Sequence, residues 1–425
     1  MAKIVSISSL TLWKIYILVS LIFYGTSVFG PYSWKIYSVE GIVYFIIVNF
    51  LFFVGLCTGP LFLNRKKDSK IENASVLLFS GITPVRESIL IGVSLVALLF
   101  SFYEIVALVN YYGVSFEFLG DQYLERDASR TLIDKIAVVV MQFGTASYII
   151  YKLARCNKGI IANFIVLLGL FSCGVYYLFI GNRFTLAVEV IIFLVCNLLT
   201  GSFSLRKVKR KIPAWLIILL TLLLIIVVFL AFLAIFSNRP HTEILLKYEF
   251  FPGDEELKPF YVSLYNSNPS LWDPLLMLAD YMGEAPYIFS GVWEFYIPDH
   301  IYWFLNTLRP VGQLLSIFGL PSYTEIVAEI GSPAKYSGIA YSLIVDFGIY
   351  LAPVAAYLFG LIFSSIDIRR NISSIARTLY PCCVACVIFA PIYYFNVGRM
   401  DFVVFALLIL FFLIGPLDKS KQLSN

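Results

Sequence analysis

Six arginines carry the most suggestive chemistry in this chain. Arg126, Arg130, Arg183, Arg239, Arg309 and Arg399 stand at the mouths of apolar runs or in the loops between them, apart from the basic clusters found elsewhere. A guanidinium presents a planar fork of donors that meets phosphate oxygens two at a time, so such a set suits a phosphate or pyrophosphate group. Arg183, in Gly181-Asn182-Arg183-Phe184, opens an apolar run. There the unpaired amides and dipole of a helix start would add positive potential beside it. The competing explanation for each is an interfacial arginine whose stem lies along apolar surface while its head reaches water.

The second constellation is acidic. Asp273-Pro274 has the form of a helix start, with Asp as N-cap and Pro at the first helical position. A helix from there to about Glu284 would place Asp280 and Glu284, four residues apart, on one face beside Tyr281. Two such carboxylates could bind sugar hydroxyls, and one could accept a proton from a hydroxyl nucleophile. A solvated helix face explains the same spacing. Trp272, Trp293, Tyr296, Tyr302 and Trp303 offer faces for stacking on sugar rings, or for filling a core or an interfacial belt. His241 and His300 are the only histidines, too few and too far apart for a metal site. No Asp-x-Asp element, phosphate-cradling Gly-x-x-x-x-Gly-Lys loop or Gly-x-Ser-x-Gly elbow is present, so neither metal nor cofactor is expected.

The elements that must position these groups are membrane helices. With 60% hydrophobic residues, 14% charged residues and a mean hydropathy of +0.85, the chain is too apolar for a soluble domain of 425 residues. Runs long enough to cross ~30 Å of hydrocarbon, about 20 residues each, fall near 10–30, 39–63, 87–110, 132–152, 160–180, 183–200, 212–236, 339–364, 377–395 and 401–417. The reading is an all-α polytopic membrane protein of about ten spans in three parts. Residues 1–236 hold seven spans with an outer loop at about 111–131, 237–337 form a large outer loop, and 338–425 hold three more spans and a tail.

Sidedness follows from Lys and Arg, which cytoplasmic loops retain. With the N-terminus inside, twenty of the 31 basic residues fall in the cytoplasm, both termini are cytoplasmic, and the long loop is outside. That loop holds twelve carboxylates against five Lys and Arg, three of the six tryptophans and no cysteine. A disulfide is therefore not expected there. The net charge of +4 averages two different faces and carries no nucleic-acid footprint. The basic loops are what anionic headgroups and insertion favour. Within the spans, Glu104, Glu189 and Asp346 are ionisable groups that invite a functional explanation. They form neither a proton-relay series nor part of an internal repeat of the kind transporters use.

Four stretches carry a resemblance: Gly181-Asn182-Arg183 opening a span; Phe295-Tyr296-Ile297-Pro298 followed by Leu308-Arg309-Pro310; Tyr341-Ser342-Leu343-Ile344-Val345-Asp346-Phe347-Gly348; and Asn396-Val397-Gly398-Arg399. Together with ten spans and one large loop before the last few, the chain from the fifth span onward resembles the Wzy-type polymerases of O-antigen and similar repeat-unit polysaccharides. The resemblance implies a GT-C-like membrane glycosyltransferase of the bacterial inner membrane. Such an enzyme transfers a growing glycan from undecaprenyl pyrophosphate to a lipid-linked repeat unit at the periplasmic face. It also implies that Arg183, Arg309 and Arg399 hold the pyrophosphate; the residues themselves then offer Arg126, Arg130 and Arg239 as supporting contacts and Asp280 or Glu284 as base. Implied partners are the undecaprenyl-pyrophosphate-linked oligosaccharide donor and acceptor, membrane lipids, a chain-length regulator and a flippase. One family feature is missing: no glycine stands eleven positions after Arg126, Arg183, Arg239 or Arg309. The alternatives are an O-antigen ligase delivering glycan to the lipid A core, for which His241 would be the residue to test, and a lipid-linked oligosaccharide flippase. A flippase would need functional charge through the membrane depth and no large outer loop.

Overall fold

The computed structural model describes residues 11–62, 82–112, 132–156, 158–179, 184–200, 255–295, 297–316, 318–320, 338–371, 373–392 and 400–414. In chain order these form α1 (Leu12–Phe29), β1 (Tyr32–Trp34), α2 (Val39–Phe62), α3 (Pro84–Tyr112), α4 (Leu132–Leu153), α5 (Ile160–Phe179) and α6 (Phe184–Thr200). The large loop contributes β2 (Glu255–Leu257), α7 (Pro259–Ser267), α8 (Pro269–Gly283), α9 (Ala285–Phe295) and α10 (Arg309–Ser316). The chain closes with α11 (Gly338–Arg369), α12 (Ser374–Phe389) and α13 (Met400–Ile414). Helices α1 to α5 and α11 are each long and apolar enough to cross a membrane, and α6, α12 and α13 are shorter apolar helices. This is the helical membrane protein that the composition requires. The apolar run at 212–236 lies outside the described residues.

One expectation is corrected. The helix bearing Asp280 opens at Pro269 behind Asn268, not at Asp273-Pro274, because Asn268-Pro269 supplies the same start signal five residues earlier. The helical architecture carries one short strand pair: β1 and β2 pair antiparallel, with Tyr32 opposite Leu257 and Trp34 opposite Glu255. Lys258 strengthens this tie, its amide donating to Pro31 O at 2.9 Å and its Nζ to Gly30 O at 2.7 Å. A cation there sits where the dipole at the end of α1 favours it.

The most extensive helix pair is α2 with α11, and small residues explain it. A Cβ on Gly55 would collide with the Tyr357 carbonyl oxygen and lie 3.0 Å from the Gly360 Cα, and one on Gly59 would collide with Ser364. Gly55 and Gly59 on one helix thus face Gly360 and Ser364 on the other, each pair four residues apart, so the backbones approach closely and dispersion holds them. Helices α3, α4 and α5 form a second sector, joined by α6 and α13. There hydroxyls bridge neighbouring backbones: Ser101 Oγ donates to Ser172 O at 2.6 Å and Ser147 Oγ to Leu90 O at 2.7 Å.

Contacts at the helix ends sort the bundle into two faces. At one, the start of α1 meets the end of α11, with the Leu12 amide donating to Asp367 Oδ2 at 2.9 Å. Arg377 on α12 donates to Leu199 O of α6 at 3.3 Å. Lys158 Nζ donates to Pro84 O at 2.6 Å. At the opposite face the end of α1, the starts of α2, α6 and α11 and the end of α12 come together with the helices of the large loop. The Ile339 amide donates to Ala390 O at 2.8 Å, and the Phe184 and Phe389 rings lie 5.4 Å apart.

Candidate functional site

The large loop is seated on the helix ends by polar and aromatic contacts. Ser27 Oγ donates to Gly283 O at 2.7 Å, docking the end of α8 on the end of α1. Tyr287 OH donates back to Ser27 O at 3.3 Å, and its ring stacks on Trp34 at 5.4 Å. Burial raises the Tyr287 phenol above its ordinary range, so it stays a neutral donor. Helix α9 crosses the start of α2, where Trp293 packs 4.6 Å from the Tyr44 ring.

Asp280 and Glu284 lie at this junction, and both are buried, at 3% and 0% exposure. The solvated-face explanation of their spacing therefore fails. Glu284 is also the joint between two helices. Its amide donates to Asp280 O at 3.0 Å to end α8, and its carbonyl accepts from the Tyr287 and Ile288 amides at 3.0 and 2.9 Å to begin α9.

Arg309 is the first residue of α10, and its side chain is partly buried. The turn leading to it is built on a break in α11. Gly348 has φ 71° and ψ 172°, a conformation open to glycine and strained for other residues. Two residues earlier Asp346, with no exposed surface, accepts from the Asn306 amide at 2.7 Å. It also accepts from the Thr307 amide at 2.6 Å and the Thr307 hydroxyl at 2.6 Å. Val345 O accepts from the Tyr302 amide at 3.0 Å, and Tyr44 OH donates to Ile349 O. Trp303 and Phe304, which adopt positive φ, set their rings against Phe347 at 6.3 and 5.0 Å. The break thus frees backbone groups that the turn 301–308 satisfies, and the Asp346 carboxylate is its anchor.

The other intramembrane carboxylates belong to the second sector. Glu189 of α6, 2% exposed, directs both oxygens at the Gly174 amide of α5, at 2.9 and 3.0 Å. A Cβ at position 174 would collide with that carboxylate, so the glycine is what admits it. Glu104 is fully buried in α3. At the opposite face Asp367 pairs with Arg370 at 2.7 Å, and Arg370 lies 4.4 Å over the Tyr380 ring.

Of the residues expected to do chemistry, the structure places Asp280, Glu284 and Arg309 at the loop-bearing face. Arg126, Arg130, Arg183, Arg239, Arg399 and His241 lie outside the described residues. Two of the elements they flank in sequence reach this face: α6, which follows Arg183, meets the end of α12 through Phe184, and α13, which follows Arg399, packs against α10. Two of the five expected sugar-stacking aromatics serve packing, and Tyr296 lies outside the described residues. Tyr302 is 1% exposed and Trp293 is partly buried on α2, whereas Trp303 keeps 37% of its surface open. Asn306 and Thr307 escaped the sequence reading, although an Asp two residues before a Gly inside an apolar run signalled a break in need of partners. Among the described residues no group of His, Cys, Asp and Glu could hold a metal ion.

No family model matches the chain, and no characterised protein and no solved structure is significantly similar to it.

Proposed function

We propose that this chain is a membrane glycosyltransferase that polymerises lipid-linked oligosaccharide repeat units. It would take a growing glycan from undecaprenyl pyrophosphate and pass it to a second lipid-linked unit at the periplasmic face of the inner membrane. The observation that carries the reading is the seating of the acidic, aromatic loop on the helix ends, with Arg309 and two buried carboxylates at that one face. It is supported by the basic residues at the opposite face, which suit a cytoplasmic side, and by the motif resemblance.

In this reading the glycan anomeric carbon is attacked by a sugar hydroxyl, and the pyrophosphate leaves. Preorganised guanidinium groups meet the charge that develops on the leaving oxygens, which is where a fixed dipole or cation has most effect on rate. Arg309 takes that role together with Arg183 and Arg399, and Arg126, Arg130 and Arg239 support them. Asp280 or Glu284 takes the acceptor proton. Their burial requires that the acceptor hydroxyl reach the α8–α9 joint, so the base is the part of the assignment most exposed to mutagenesis.

The test is the surface polysaccharide profile of a strain lacking the chain, complemented with intact protein or with R309A, R183A, R399A, D280N or E284Q at matched membrane levels. Single repeats on the lipid A core, and no ladder with the arginine variants, are expected. Long chains unattached to core would identify a ligase instead. Absence of even single repeats would identify a flippase.

A further inference from the structure

We propose that Asp346 is a positioning residue for Arg309: by holding the Asn306 and Thr307 amides and the Thr307 hydroxyl, it fixes where α10 begins and so where the Arg309 guanidinium is presented. The inference rests on the reading of Arg309 as a pyrophosphate ligand. Three observations converge on it.

The first is the division of labour within the carboxylate. Oδ1 accepts from the Asn306 amide, while Oδ2 accepts from both the amide and the hydroxyl of Thr307. Both oxygens are committed to a segment ending two residues before Arg309, so no conformer of the turn preserves all three bonds without preserving that geometry. The second is closure on the far side. Gly312 of α10 packs on Leu305 so tightly that a Cβ would collide with its Cα and lie 2.7 Å from its amide nitrogen. The Leu308 amide donates to Phe304 O at 2.9 Å, and the Gly312 amide to Leu308 O at 3.1 Å. Arg309 therefore sits inside a stretch, 301–312, fixed at both ends. The third is the base on which the anchor stands. Asp346 lies in the stretch of α11 before Gly348, whose start is tied to α12 by the Ile339–Ala390 bond, and the residue after the break is tied to α2 by Tyr44. The clamp is thus referred to the helix bundle and not to a loop. A carboxylate is suited to this task because it is acceptor-only and takes several donors at once.

The experiment measures binding of geranylgeranyl pyrophosphate, and separately of inorganic pyrophosphate, to the full chain in nanodiscs. The variants are R309A, D346N, T307V, T307S, and D346N combined with R309A. D346N keeps volume but turns one acceptor into a donor facing the Asn306 or the Thr307 amide. T307V removes one of the three bonds without touching the carboxylate, and T307S restores it, which guards against a D346N that fails to fold. Loss of a charge-assisted contact predicts about tenfold weaker lipid binding for R309A. D346N should approach that loss and T307V should weaken binding about threefold, with T307S near the native value. In the R309A background D346N should add nothing, because it acts through the arginine. Weakening by D346N of equal size in both backgrounds, or none in the native background, overturns the positioning role while leaving the pyrophosphate reading intact. R309A without effect on either probe overturns the pyrophosphate reading, and the positioning role with it. Weakening for both probes places the effect at the headgroup, as proposed. Weakening for the prenyl lipid alone moves it to the chain and counts against the proposal.

Discussion

Two buried carboxylates in this molecule solve the same problem in different ways. Asp346 distributes its oxygens over three donors from a turn 39 and 40 residues away in sequence. Glu189 points both oxygens at the Gly174 amide in the neighbouring helix, 15 residues away, with the Thr145 hydroxyl of α4 also against it. The first organises a polar turn at the loop-bearing face, beside an arginine. The second fastens two helices within the bundle. An acidic residue in an apolar span is thus not one kind of signal: what it holds decides whether it serves a site or a seam.

Removing each anchor outright should separate the two carboxylates most. D346A leaves two amides and a hydroxyl without their acceptor and should cost about 2–4 kcal/mol, whereas E189A strands the Gly174 amide, the Thr145 hydroxyl keeping Leu170 O, and should cost about 1–3 kcal/mol. Denaturant unfolding in mixed micelles checks the order. A larger loss for E189A would show that the seam, not the turn, is the more dependent structure. Close behind is G360V on α11, whose side chain would run into the backbone of α2, where a Cβ alone already collides with Phe52 O. Overpacking of this kind should cost about 1–3 kcal/mol. A native-like melting temperature for G360V would contradict the glycine seam.

A finer test exchanges carboxylate for amide. Glutamine keeps one oxygen for the single Gly174 amide, so E189Q should change stability by less than about 1 kcal/mol. Asparagine cannot supply both acceptors that the turn uses, so D346N should cost about 1.5–3 kcal/mol. Equal effects would erase the distinction. The smallest expected effect concerns Cys156, in the turn after α4 at the face opposite the large loop. Burial, with Glu87 nearby, pushes its thiol up to about 12. Below that value the thiol holds its proton and is a poor nucleophile. Maleimide labelling should therefore be slow at neutral pH and become fast on denaturation. Rapid labelling of the folded protein would show that this face is open.

The spans were legible because hydropathy is a local property: α2, α4 and α5 fall within a residue or two of their expected limits. Asp280 and Glu284 were legible as a pair, since helical spacing is written in the sequence. Their burial was not, because the same i, i+4 pattern serves a wet face and a buried one. The start of α8 was displaced because Asn268-Pro269 and Asp273-Pro274 carry the same signal. The β1–β2 pair involves three residues a side joined across more than two hundred, which no local pattern reveals. The role of Asp346 was hidden for the same reason: its donors are remote, and only the fold brings them to it.

On the proposed function the loop-bearing face does the chemistry and the α3–α6 sector supports it. The most direct measurement is elongation of purified lipid-linked repeat units by the reconstituted protein, comparing R309A with E189Q at equal amounts of folded protein. No polymer from R309A and a native-like ladder from E189Q are expected. Polymer from R309A, or its loss in a stably folded E189Q, would contradict that assignment.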